Sequence, residues 1–153
     1  MMSRRERTRI LAEGPESVAI ELAALIGRGH KVDEVHPPRQ GLVMCEVRET
    51  ARGSRFYLGE ALMTECRMRV GDTEGLGAVL GARPELARAM AVLDAALSQP
   101  FALPEAEEIE RRLRRAAEDL DREAAREQGR VLASRVSFDT MEGQDMSVQA
   151  VVK

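Results

Sequence analysis

The 153-residue chain is 44% apolar and 32% charged, which excludes a disordered protein and fits one folded domain around a single core. Its formal net charge of −3 argues against a generic electrostatic grip on nucleic acid, and no apolar run approaches the ~20 residues needed to span a bilayer. With no Trp, one Tyr and three Phe, the core must draw on Leu, Val, Ala and the eight Met, which pack adaptably but specify shape weakly.

The opening MMSRRERTRILAEGPES is basic, yet it lacks the long apolar stretch and small-residue cleavage site of a secretory signal. Two cysteines, Cys45 and Cys66, are too few for a disulfide scaffold and are expected as reduced thiols of a cytoplasmic protein, both buried on the apolar face of the sheet. Residues 3–13 read as a short helix. Pro15 suits the first position of a second helix, whose stripe of Val18, Leu22, Leu25 and Ile26 ends at Gly27 and Gly29. A polar loop follows, closed by Pro37-Pro38.

From Gly41 the apolar period becomes two. Val43, Cys45 and Val47 share one face, and ETARGS then turns the chain at Gly53. Phe56 and Leu58 begin a second alternation. It breaks at Gly59-Glu60 and resumes through Leu62, Thr64, Cys66, Met68 and Val70. That break predicts a hairpin corner with Glu60 exposed at its tip. After GDTEG, LGAVL makes a fourth strand, completing an antiparallel meander with one buried face.

Pro84 opens a helix with Leu86, Met90, Leu93 and Leu97 on one stripe. Pro104 opens another, 104–128, whose narrow seam of Ile109, Leu113 and Leu120 is flanked by Glu–Arg pairs four residues apart. That seam predicts a helix gripping a partner along one edge. Beyond Gly129 the stretch containing Arg135, Phe138 and Met141 is apolar with an Arg beside it, a composition enriched at interfaces. Residues 142–153 read as a mobile tail. The fold class is α+β in a single domain, 1–153: N-terminal helices, a four-stranded antiparallel meander, two C-terminal helices and an extended tail.

Few residues suggest chemistry. GLGAVLG at 75–81 resembles a phosphate loop, but its spacing is wrong and the helix starts only near Pro84, so the glycines read as structural. His30 and His36 lack the companions of a metal site. Glu60 has no nearby His or second acid to shift its pKa. RRERTR is either a partner-binding arm or an exposed first turn, and the Arg-rich run at 111–126 is a solvated, ion-paired face. No nucleophile–base set is present in the spacings.

The ordered string Gly41-Leu42-Val43, Phe56-x-Leu58-Gly59-Glu60, Thr64-x-Cys66, Val70, Gly75…Gly81, Ala87, Asp94-Ala95-x-Leu97 and Arg135-Val136-x-Phe138-x-Thr140-Met141 resembles the PhnG family. That family supplies a subunit of the bacterial carbon–phosphorus lyase core complex. The chain departs from the family pattern at Ala82, Arg83, Leu86, Asp139 and Glu142, so a family histidine just before Ala87 has no counterpart. The resemblance implies a cytoplasmic, non-catalytic component of an assembly that degrades organophosphonates. In that pathway a phosphonate displaces adenine from ATP, giving ribose 1-phosphonate 5-triphosphate, and a radical iron–sulfur subunit later breaks the C–P bond. ATP and the iron–sulfur cluster belong to partner subunits, and no catalytic, cofactor or metal residue is expected in this chain. The expected partners are the other core subunits, with no nucleic acid and no membrane. Expected partner contacts are Glu60, Ile109, Leu113, Leu120, Arg135, Phe138 and Met141. The alternatives are an independent nucleotide-binding enzyme using the Gly75–Gly81 loop, or a nucleic-acid-binding regulator.

Overall fold

The computed structural model describes residues 2–134. Two helices, α1 (Arg4–Glu13) and α2 (Glu16–Gly29), lead into three strands, β1 (Val32–Arg48), β2 (Arg55–Val70) and β3 (Thr73–Leu80). Helices α3 (Pro84–Leu97) and α4 (Ala106–Ala133) follow. The α+β class and the order of elements agree with the sequence reading. The sheet is antiparallel in the order β1-β2-β3, so it has three strands where four were expected.

The two expected strands on either side of Gly59-Glu60 are one. Cys45 pairs with Gly59 and Glu46 with Tyr57, leaving Leu58 as an extra residue in a β-bulge. The bulge absorbs the break in the pattern without ending the strand. Glu60 therefore lies inside β2, opposite Met44, and not at a hairpin tip. The turn is at 49–54, where Glu49 accepts from Arg52 N at 2.6 Å and from Ser54 Oγ at 2.8 Å, and Gly53 takes φ 68°. The polar stretch before Gly41 is also strand. Pro37 and Pro38 are tolerated because β1 is an edge strand, and register shifts around His36 accommodate them.

The central element of the core is α3, with Leu86, Ala87, Met90, Leu93 and Ala95 among its buried residues. It lies on the inner sheet face formed by Cys66, Met68, Val70 and Val79. Gly75 and Gly77 set how closely it lies. A Cβ on Gly77 would stand 1.9 Å from Ala87 O, and one on Gly75 would stand 2.2 Å from both Ala91 O and Ala95 N. The helix backbone occupies the space where side chains would project. At the β3–α3 junction the buried Thr64 Oγ1 donates to Gly81 O at 2.6 Å and accepts from Arg83 N at 3.1 Å. Its polarity is thereby satisfied, and no buried side-chain N or O among the described residues lacks a partner.

Helix α2 adds Ala19, Leu22 and Ile26 to this core, and α1 adds Ile10 and Leu11. Helix α4 closes it with Ile109, Leu113 and Ala116. This corrects the expectation that the α4 seam meets a partner: Ile109 and Leu113 are 0% exposed within the chain itself. A narrow stripe suffices because α4 rests against the body only from its start to Leu120. From Asp121 to Ala133 every residue is exposed. The helix passes through Gly129, whose cost of about 1 kcal/mol does not stop it.

Candidate functional site

Beyond the end of α3 the sheet continues as a two-stranded arm, residues 41–48 of β1 paired with 55–62 of β2. Neither face is covered. The face continuous with the core side carries Leu42, Met44, Tyr57 and Leu62; Leu42 and Tyr57 are each 64% exposed. The opposite face carries Val43, Val47 and Phe56 and runs onto Leu80 and Leu76 of β3, all exposed. At the bulge Leu58 is 70% exposed. An apolar surface of this extent on both sides of one ribbon marks an interaction site, and a lone two-stranded ribbon is only marginally stable in water.

Part of the charge on the arm is tied down. Glu46 meets Arg55 at 3.2 Å, and Glu49 is held below the ordinary carboxylate range by the Arg52 N–H first and the Ser54 hydroxyl second. Closer to the body, Arg39 pairs with Glu65 at 3.1 Å and Arg69 with Glu74. Glu60 is exposed among Leu42, Met44, Tyr57 and Leu62, and no ion pair of its own occurs among the described residues.

The two cysteines part company. Cys66 is buried beneath α3, its thiol donating to His36 O at 3.4 Å, and burial pushes its pKa up. Cys45 was expected to be equally buried, but it lies on the arm and is only half-buried, because no layer covers that face. His30 Nε2 donates to Glu105 Oε2 at 3.0 Å, tying the end of α2 to the start of α4. That bond is the first cause of the lowered Glu105 pKa. His36 and Gly59 sit in strands, and no group of three His, Cys, Asp or Glu able to hold a metal occurs among the described residues.

Of the glycines in GLGAVLG, Gly75 and Gly77 face the α3 backbone and Gly81 takes φ 88° at the turn into α3, so the first two offer no cradle to a phosphate. The basic N-terminus is likewise engaged: Arg4 makes a bidentate pair with Asp94 at 2.8 and 2.6 Å, and Arg9 reaches Asp121 at 3.3 Å. Asp94 also accepts from Leu76 N at 3.0 Å, joining α1, α3 and β3. Of the expected partner contacts, Glu60 is on the arm, Leu120 is half-buried on α4, and Ile109 and Leu113 are core. Arg135, Phe138 and Met141 lie outside the described residues, as does the expected 142–153 tail. The exposed Leu42, Met44, Tyr57 and Leu58 were not singled out from the sequence. Their one legible signal was apolar residues on both faces of the same strands. No helix is long and apolar enough to cross a membrane among the described residues.

A family model described as phosphonate metabolism protein PhnG matches residues 2–143. No curated protein matches the chain.

Proposed function

Because the chain belongs to the PhnG family of phosphonate metabolism proteins, we propose that it is a non-catalytic subunit of a carbon–phosphorus lyase core complex. Its role is to hold together the assembly in which a phosphonate oxygen attacks the ribose C1′ of ATP and adenine leaves, forming ribose 1-phosphonate 5-triphosphate. Partner subunits bind the ATP and carry that displacement, and the iron–sulfur cluster that later cleaves the C–P bond is theirs. The assembly works in the cytoplasm.

The single observation that carries this reading is the arm. A chain acting alone gains nothing from holding Leu42, Met44, Tyr57 and Leu58 in water, whereas covering each by a partner is worth about 1–2 kcal/mol. The α4 half beyond Leu120 is exposed on every side and mostly charged or polar as far as Arg130, the character of a helix that bridges between bodies. The nucleotide-binding alternative is disfavoured because the α3 backbone takes the space at Gly75 and Gly77.

The test is recovery of partners with a tagged chain from phosphate-starved cells, followed by an adenine-release assay with ATP and methylphosphonate. The complex should release adenine and the isolated chain should not. The double variant Leu42→Asp/Met44→Asp should recover at least tenfold less partner while its isolated fold melts as the wild type does. Adenine release by the isolated chain, or full recovery with the double variant, would refute the proposal.

A further inference from the structure

We infer that β2 from Arg55 to Leu62 is an acceptor edge for an extended segment of a partner subunit: a mainly apolar strand with one lysine or arginine opposite Glu60. The inference rests on the subunit reading above and names the mode of attachment. The sheet has three stretches of unpaired edge. Along the outer edge of β1, Pro37, Pro38 and the shifts around His36 interrupt the first half, while Gly41 to Arg48 stays free. The outer edge of β3 meets Asp94, which takes Leu76 N at 3.0 Å.

The third stretch alone continues the line of a strand already in the sheet. Beside β2, β3 reaches only as far as the Met63–Leu80 pair. Gly81 N then donates to Leu62 O at 2.7 Å and the chain turns away into α3. From Leu62 back to Arg55, β2 has β1 on one side and no strand on the other. A strand added there takes up the line that β3 leaves.

The surrounding side chains define the occupant. It would have Leu62 and Tyr57 beside one face and Phe56 and Leu80 beside the other, so it must be apolar on both faces. Glu60 stands among these apolar groups with no cation of its own among the described residues. Covering a carboxylate without supplying a counter-charge is strongly unfavourable, so the occupant brings the cation. A second copy of this chain fits poorly. Antiparallel self-pairing centred on Leu58 sets bulge against bulge, and pairing centred on Glu60 sets two carboxylates face to face.

The test compares amide hydrogen exchange in the isolated chain and in the complex recovered from phosphate-starved cells. Amides in 55–62 that do not bond to β1 should exchange at least tenfold more slowly in the complex. Glu60→Lys should cut partner recovery at least tenfold and Glu60→Gln by less, with the isolated melting temperature unchanged for both. A complex that forms with unaltered exchange over 55–62 overturns strand addition and leaves the subunit reading standing. Undiminished recovery with Glu60→Lys overturns the opposing cation. Slow exchange in an isolated chain that light scattering shows to be dimeric assigns the edge to a second copy and overturns the inference. Absence of any complex overturns both readings.

Discussion

Replacing Gly77 by alanine adds one methyl group at the tightest point of the fold. Its carbon would lie 1.9 Å from Ala87 O and 2.8 Å from Ala91 N, both backbone atoms of α3. A carbon–oxygen contact needs about 3.3 Å, so α3 must retreat from the sheet by roughly 1.4 Å or tilt. No side-chain rotamer can relieve the clash. Because α3 buries residues on nearly all its sides, the retreat loosens contacts with β2, β3 and α2 together. Overpacking against a rigid neighbour costs about 3 kcal/mol, and the lost freedom of the unfolded chain returns about 0.7 kcal/mol. The net loss is about 2 kcal/mol, or roughly 4–8 °C in melting temperature for a domain of this size. Circular dichroism melts, with urea unfolding as a second measure, would read it. Gly41→Ala is the control, since its Cβ would meet nothing within 4 Å, and it should change stability by less than about 0.5 kcal/mol. A Gly77→Ala protein melting within about 2 °C of wild type would refute the close-approach account.

Thiol labelling of the native chain should show one fast site and one slow site, Cys45 and Cys66 respectively, with the slow one released by denaturant. Cys45→Ser should abolish the fast phase, and equal rates at the two sites would contradict the burial difference. The Glu105 carboxylate, held below its ordinary 4.5 by His30, stabilises the fold above about pH 4.5 and loses that contribution as pH falls through its lowered value. Wild type should therefore out-melt Glu105→Gln at pH 6, and the gap should narrow as the pH falls below 4.5. A gap that stays constant over that range would show that the carboxylate's charge is not what stabilises.

The helices were legible because their stripes and punctuation agree with how they pack. The α3 stripe of Leu86, Met90 and Leu93 is buried as read, and Pro84 is its first residue. The sheet was legible in direction but not in extent. Alternation of Val43, Cys45 and Val47 looks the same whether a layer covers that face or water does, so only the end of α3 reveals the arm. A bulge leaves no mark in sequence beyond a break in phase, and at Gly59-Glu60 that mark is shared with a turn. The Ile109–Leu113 seam shows an apolar edge without saying whether its neighbour is the same chain or another. The glycine pair had a signal that was available: Ala87, Ala91 and Ala95 recur every four residues, offering α3 a flat side for Gly75 and Gly77.

The uncovered arm also bears on how much of this chain persists when nothing pairs with it. A ribbon with two apolar faces and an open hydrogen-bonding edge is a template for indiscriminate association. Copies made in excess of whatever covers the arm are thus the ones most prone to clump or to be cleared by proteolysis. Covered copies are spared both fates. Where the arm joins an assembly as proposed, the abundance of this chain follows the abundance of its cover, and synthesis in step with partners becomes a requirement of the fold.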